Sequence, residues 1–258
     1  MTGYRFAVLG DPIEHSRSPD LHHAMLQLAG LSGEYLRIRA DHTVLAETVE
    51  GLRSGEWDGL NVTMPLKEEA ARLADELAPM AARAGSVNTL VRKGQTVVGH
   101  STDCVAFRQI AADTFAQSGV FHVLGAGGSA AAALAALSDD VTVYVSARRP
   151  EQADVIAGRH GAVTVAWGTA VVGAVVINAT SLGMKGETVP EAVLETASGL
   201  IDLPYGDRPT PAIREASSRG IEVVDGHEFL MRQAIESFHL WTGVSVGLSD
   251  LMGARRKT

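Results

Sequence analysis

The sequence predicts an α/β fold in two domains, and three observations predict it. Short apolar runs of strand length alternate with segments whose apolar residues recur at helical spacing. A glycine turn, Gly125-Ala126-Gly127-Gly128, stands directly between one such run and one such segment near the middle of the chain. A length of 258 residues amounts to about two domains at roughly 150 residues each, and the 46% hydrophobic content supplies a core for both.

Arg5-Phe6-Ala7-Val8-Leu9 reads as a buried strand, stopped by Gly10-Asp11-Pro12. Pro19, whose fixed φ suits a first helical turn, opens a helix through Leu21, Ala24, Met25 and Leu28. Tyr35 to Ile38 is a second strand, and a helix through Leu45, Val49 and Leu52 follows. Gly59 to Thr63 is a third strand ended by Pro65, and a helix is expected near Glu68 to Leu77. Val87 to Val91 and Val97 to Gly99 form a hairpin around Lys93-Gly94. A helix from about Asp103 to Ala116 leads into the second unit. That unit has a strand at Val120 to Leu124, the glycine turn and a helix from Ser129 to Leu137. Further strands fall at Val141 to Val145, Val163 to Val165, Val175 to Asn178, Leu200 to Asp202 and Glu222 to Val224. Helices near Glu228 to Trp241 and Leu248 to Arg255 end the chain and are expected to return to the first domain. The expected division is 1–102, completed by 238–258, as a mostly parallel α/β domain, and 103–237 as a doubly wound, Rossmann-like domain.

Composition excludes several classes. A formal net charge of -8 argues against a nucleic-acid partner, which needs clustered Lys and Arg. Arg255, Arg256 and Lys257 make a short basic tail that reads as a solvated end. The single cysteine, Cys104, permits no internal disulfide and fits a reducing cytoplasm. The first apolar run is too short for a signal peptide, and no stretch nears the ~18 apolar residues of a membrane span. The nine histidines lack ligand spacing, so no metal is expected.

Val123-Leu124-Gly125-Ala126-Gly127-Gly128-Ser129-Ala130 fits the pattern G-x-G-x-x-G/A between a strand and a helix. Gly125 permits the tight turn, Gly127 lets backbone approach a pyrophosphate, and Ala130 lets the helix sit close to the sheet. The unpaired N–H groups at the helix start then face the phosphates. After the next strand an NAD site would carry an acid for the ribose hydroxyls. Here the chain has Ser146-Ala147-Arg148-Arg149, and two guanidiniums suit the 2′-phosphate of NADP.

The N-terminal half carries polar residues where strands end, which is where α/β sheets bind ligands. Gly10-Asp11-Pro12-Ile13-Glu14-His15-Ser16-Arg17-Ser18-Pro19, Asn61-Val62-Thr63-Met64-Pro65-Leu66-Lys67, Val87-Asn88-Thr89 and Thr102-Asp103 resemble the shikimate dehydrogenase family block by block. So do Gly125 to Gly128, Asn178-Ala179-Thr180-Ser181-Leu182-Gly183-Met184, Asp202 to Tyr205, Thr210-Pro211, and Gly226 through Gln233 to Phe238 and Trp241. The resemblance spans nearly the whole chain. It implies an NADP-dependent reduction of 3-dehydroshikimate to shikimate, in the chorismate pathway to the aromatic amino acids. It implies Ser16 and Ser18 at the substrate carboxylate, helped by Tyr205. Asn61, Thr63, Asn88 and Gln233 would bind the ring hydroxyls, and Lys67 with Asp103 would form the catalytic pair. Gly125, Ala126, Gly127, Gly128 and Ser129 would hold the pyrophosphate and Arg148 the 2′-phosphate, where the residue chemistry adds Arg149. Thr180, Met184 and Gly226 would complete the cofactor site. Family members are found as monomers and homodimers. The residue chemistry agrees, because reducing a ketone with hydride requires a proton for the developing alkoxide, and a Lys beside an Asp supplies it. Ser101, Ala147 and Arg149 depart from the usual family pattern. They leave open a broader quinate/shikimate or aminoshikimate dehydrogenase, with a non-catalytic dinucleotide- or metabolite-binding protein as the reading outside enzymes.

Overall fold

A computed structural model of the chain describes residues 3–137 and 140–255, so Arg256 and Lys257 of the basic tail lie outside the described residues. Two compact units emerge, one reaching to Val105 and resuming at Leu230, the other running from Ala106 to Phe229. The division falls a few residues from the expected 102/103 and a full eight residues before the expected 237/238. The reason lies in the last long helix, where Gln233 and Ser237 hydrogen-bond to Asn88 and Thr89 of the first unit.

The first unit contains β1 (Tyr4–Gly10), α1 (Ser18–Leu28), β2 (Gly33–Arg39), α2 (His42–Ser54), β3 (Gly59–Val62), α3 (Lys67–Leu73), β4 (Glu76–Leu77), α4 (Pro79–Ala84), β5 (Thr89–Lys93) and β6 (Thr96–His100). The strands form one sheet in the order β2-β1-β3-β5-β6-β4. β1 pairs in parallel with β2 and β3, while β5 runs antiparallel to both β3 and β6. Period-2 alternation buries both faces of the sheet. Phe6 and Val8 of β1 join Met25, Tyr35 and Phe238 on one side, whereas Ala7 and Leu9 join Leu45, Val49 and Leu52 of α2 on the other. The expected helix over Glu68 to Leu77 is shorter than foreseen. The chain leaves α3 at Ala74 with extended geometry, and Glu76-Leu77 instead pair with β6.

α5 (Thr102–Asp113) leads into the second unit. There follow β7 (Val120–Leu124), α6 (Gly128–Ala136), β8 (Thr142–Ser146), α7 (Pro150–His160), β9 (Val163–Thr164), β10 (Val175–Asn178), α8 (Glu191–Glu195), β11 (Gly199–Asp202), α9 (Pro211–Ser218) and β12 (Glu222–Asp225). Every pairing in this sheet is parallel, and its order is β12-β11-β10-β7-β8-β9. Strand order reverses between β7 and β10, so the turn after β7 and the loop after β10 diverge at a topological switch point, the place where such sheets hold ligands. α10 (Gly226–Thr242) and α11 (Leu248–Arg255) close the chain, and most of α10 packs in the first unit. Trp241 fixes it there: its indole occupies the space a side chain at Gly59 would need and donates to Leu90 O at 3.0 Å.

Candidate active site

Three short segments of the first unit converge because the sheet brings their strand ends together. Thr63 to Lys67 follows β3, Ser86 to Thr89 enters β5, and Ser101 to Asp103 leaves β6. Leu66 is 1% exposed and anchors the turn that opens α3, so Lys67 is the first residue of that helix. Val87 N donates to Lys67 O at 2.9 Å and ties the second segment to the first.

Asn88 organises the middle. Its Oδ1 accepts from the backbone N–H groups of Thr102 at 2.7 Å and Asp103 at 3.5 Å, satisfying first-turn donors of α5. With Oδ1 committed to backbone donors, the amide has one orientation and its Nδ2 faces outward. Nδ2 lies 2.8 Å from Thr102 Oγ1, 3.0 Å from Asp103 Oδ1 and 3.2 Å from Gln233 Oε1. The other carboxylate oxygen of Asp103 accepts from Lys67 Nζ at 2.6 Å. The lysine side chain is 13% exposed and the aspartate 5%, so the ammonium is the reachable end of the pair.

The predicted Lys67, Asp103, Asn88 and Gln233 therefore meet in one cluster. Gln233 has its Oε1 facing Asn88, and its Nε2 donates to Leu230 O at 2.8 Å. Asn61 lies beneath the cluster, 5% exposed. Its Oδ1 accepts from the Tyr35 hydroxyl at 2.7 Å, and its Nδ2 donates to Asn88 O at 2.9 Å. Thr63 is half-buried, and its N–H donates to Leu9 O at 2.8 Å, which brings the end of β3 beside the end of β1. Beyond β1 stands the serine loop, with Ser18 buried at the start of α1 and its N–H donating to Ser16 Oγ at 3.3 Å. Arg37 Nε holds that loop through Ser16 O at 2.8 Å, and Arg39 pairs with Asp11 at its base. Tyr35 and Ser237 carry no expectation from sequence. A tyrosine in a strand reads as core, although Ser237 stands four residues from Gln233 on the same helical face.

In the second unit the glycine turn has the geometry of a phosphate cradle. Gly125 takes φ +119 against Ala179 O, a conformation reserved for glycine. Gly127 caps α6 with open space where a side chain would stand, and no side chain caps the helix start. Ala130 is fully buried, so α6 rests close on the sheet. Gly128 and Ser129 follow as the first residues of α6, and half-buried Ala126 completes the turn. Arg148 and Arg149 are exposed directly after β8. These residues fit a dinucleotide: backbone N–H donors at a helix start for a pyrophosphate and two exposed guanidinium side chains for a further phosphate. The loop after β10 is held from within. Thr180 Oγ1 donates to Asn178 Oδ1 at 2.6 Å, Asn178 Nδ2 donates to Asp202 Oδ1 at 2.7 Å, and Thr210 closes on the other oxygen of Asp202. Burial pushes the Asp202 carboxyl above its ordinary range, with the hydrogen bonds opposing. Met184, at the end of this loop, is 52% exposed. Gly226 has a packing reason of its own, because a Cβ there would overlap Leu203 O. Tyr205 is half-buried with its ring tilted against His227 at 5.3 Å. Among the described residues no group of three or more His, Cys, Asp or Glu side chains is gathered as for a metal, and no helix is long and apolar enough to cross a membrane.

Residues 8–90 match the shikimate dehydrogenase substrate binding domain. The NADP(+) shikimate dehydrogenase of Exiguobacterium sibiricum is 37% identical over 93% of this chain and 92% of its own. That of Gluconobacter oxydans is 36% identical over 97% and 96%. The crystal structure of shikimate 5-dehydrogenase from Thermus thermophilus, in complex with NADP(H) and shikimate, superposes with a TM-score of 0.88 at 32% identity, covering 98% of this chain and 99% of that one. A charged Lys–Asp pair at the ends of a mixed sheet, a glycine cradle at the switch point of a parallel one, and relatives matched along nearly their whole length place this chain in the shikimate dehydrogenase family.

Proposed function

We propose that the chain catalyses the NADP-dependent interconversion of 3-dehydroshikimate and shikimate. The observation that carries this reading is the Lys67–Asp103 pair, held at 2.6 Å with the second carboxylate oxygen fixed by Asn88. Bound NADPH supplies the hydride that converts the ketone carbon to a carbinol. Reduction of the ketone would build negative charge on its carbonyl oxygen. The Lys67 ammonium stabilises that charge and delivers the proton, because both oxygens of Asp103 act as acceptors and the lysine holds the hydrogens of the pair. Asp103 keeps the ammonium in place, and the surrounding burial strengthens the interaction.

Ser16 and Ser18 take the substrate carboxylate, with Tyr205 assisting, and Thr63, Asn88 and Gln233 take the ring hydroxyls. Asn61 supports the site from below through Asn88, since its polar atoms are already bonded inside the protein. Gly125 to Ser129 hold the pyrophosphate and Arg148 with Arg149 the 2′-phosphate, while Thr180 and Met184 shape the nicotinamide end. The substrate-binding role belongs to the unit of Lys67 and the cofactor role to the unit of the glycine turn. The enzyme works in the cytoplasm, as a monomer or homodimer that light scattering distinguishes.

The test is absorbance at the reduced-nicotinamide band after mixing the protein with shikimate and NADP+, then with NAD+ and with quinate. Reduction of NADP+ by shikimate alone is the expected result. Comparable rates with quinate move the protein to the broader paralogue that the buried Ser101 leaves open. No reduction with any pair sinks the dehydrogenase reading.

A further inference from the structure

Beneath the catalytic pair three hydroxyls form a closed, buried triangle. Thr89 Oγ1 and Thr102 Oγ1 lie 3.1 Å apart, Thr89 Oγ1 and Ser237 Oγ 2.9 Å, and Thr102 Oγ1 and Ser237 Oγ 3.1 Å. Ser237 is fully buried, as is Thr89, and Thr102 is 1% exposed, so no water satisfies them from outside. A ring of three donors and acceptors has two senses of rotation and several broken ones, and its neighbours select among them.

The selection starts at Ser237. Its hydroxyl donates to Gln233 O at 3.0 Å, a carbonyl that can only accept, so toward the threonines the serine oxygen acts as an acceptor. Asn61 Nδ2 also donates to the serine oxygen at 3.1 Å, so that oxygen takes one threonine hydrogen, the other threonine donates to its neighbour across their 3.1 Å contact, and the remaining threonine lone pairs point outward. Outward of Thr89 stands Asn61 Nδ2 at 3.0 Å, and outward of Thr102 stands Asn88 Nδ2 at 2.8 Å. Both amides are donors at those atoms, because Tyr35 and the N-terminus of α5 occupy their oxygens. In this sense both threonine hydrogens stay within the ring, and both threonine oxygens keep lone pairs for the amides. Asn88, so held, presents its amide to Asp103.

We infer that Ser237 is a positioning residue of the catalytic pair: through Thr89 and Thr102 it sets the hydrogen-bond polarity that fixes Asn88 against Asp103. It touches neither substrate nor cofactor and acts on the pair at second hand. The inference deepens the dehydrogenase reading and rests on it. Removing the serine oxygen leaves one threonine hydroxyl without an acceptor, and it turns its hydrogen toward an amide N–H. A buried clash of two donors follows, relieved by movement of Asn88.

The experiment measures kcat, KM and thermal midpoint for the native enzyme and for Ser237→Ala, Thr89→Val and Thr89→Ser, with shikimate and NADP+. Thr89→Val keeps the shape and loses the hydroxyl, whereas Thr89→Ser keeps the hydroxyl. Ser237→Ala and Thr89→Val should each lower kcat about 5- to 20-fold, the size expected for one misaligned hydrogen bond, with KM for NADP+ within about twofold. Thr89→Ser should stay within about twofold of native kcat. The double variant Ser237→Ala/Thr89→Val should lose no more than the worse single one, since both break the same ring. Native kcat in Ser237→Ala overturns the inference. So do equal losses in Thr89→Val and Thr89→Ser, or losses that multiply in the double variant. If Ser237→Ala does not fold, the two threonine variants decide alone. A native protein without turnover would instead remove the dehydrogenase reading, and this inference with it.

Discussion

Lys67 and Asp103 are 36 residues apart in sequence and share one hydrogen bond, and the surroundings of that bond determine what each can do. The carboxylate is enclosed and doubly bonded, so it stays where it is. The ammonium is the partly exposed member and the one placed to meet a developing alkoxide. Lys67→Ala should therefore lower kcat by about 10²- to 10⁴-fold, the usual reach of one general acid, while KM for NADP+ stays within about twofold. Steady-state kinetics check this, and a variant retaining more than half of native kcat would sink the proposed mechanism. The same substitution leaves Asp103 buried without its cation, so a lowered thermal midpoint should accompany the kinetic loss. At this scale the sequence was legible where polar residues cluster at strand ends, as Asn88, Thr102 and Asp103 do. It was not legible for Tyr35 and Ser237, whose bonds to Asn61 cross 26 and 176 residues. A strand tyrosine and a helix serine have ordinary local explanations, and only folding puts them on opposite ends of one amide.

Among the elements, the central strands were readable because both faces of each sheet are covered, which makes them continuous apolar runs. β7 and β10 fall at the expected residues for this reason. Short elements fared worse. α4 and α8 have six and five residues, too few for a helical period to show. α7 leaves Val155 56% exposed, which blurs its apolar face. α9 carries a start signal in Thr210 before Pro211, with the threonine hydroxyl accepting from Ile213 N at 3.2 Å. The junction of β12 and α10 separates two explanations of one glycine. The sequence resemblance implies a cofactor contact for Gly226, yet a methyl group there would overlap Leu203 O and come within 2.8 Å of Pro204 O. Backbone cannot swing aside as a side chain end does. Gly226→Ala should thus destabilise the protein by about 1–3 kcal/mol even without nucleotide, measurable as a lower urea midpoint at unchanged slope. Unaltered stability with a raised KM for NADP+ would instead make Gly226 a cofactor contact and nothing else.

For the molecule as a whole, two buried histidines couple stability to pH. His22 is sealed in the core of the first unit, stacked on Tyr35 at 4.3 Å, and neither ring nitrogen has a hydrogen-bond partner. Burial holds its pKa down to about 3, with the neighbouring His23 adding to the effect. In the second unit His122 faces Ser146 at 2.9 Å, and burial lowers it to about 4. Both are neutral in the folded protein well below the unfolded value of 6.5. Below pH 6.5 the unfolded chain therefore binds protons that the folded chain refuses. Stability from these groups is complete above that pH and falls as the medium becomes more acidic, by about 1.4 kcal/mol per pH unit for each histidine once the unfolded imidazole is charged. Asp202, whose carboxyl is raised, works in the opposite direction at lower pH and offsets only the acid end of the decline. Urea unfolding at about pH 7.5, 6.5 and 5.0 should show little change over the first interval, and over the second a loss of about 3 kcal/mol from these two groups. His22→Phe keeps an aromatic ring against Tyr35, cannot be charged, and removes two unsatisfied buried nitrogens, so it should be no less stable than native at about pH 7.5. It should also make the acid slope shallower, leaving the parts that belong to His122 and to His100, whose imidazole burial also holds below its ordinary value. A native profile that is flat down to about pH 5.0 would mean that neither histidine is sealed from protons in solution, and that the core of the first unit opens at His22 far more readily than its packing allows.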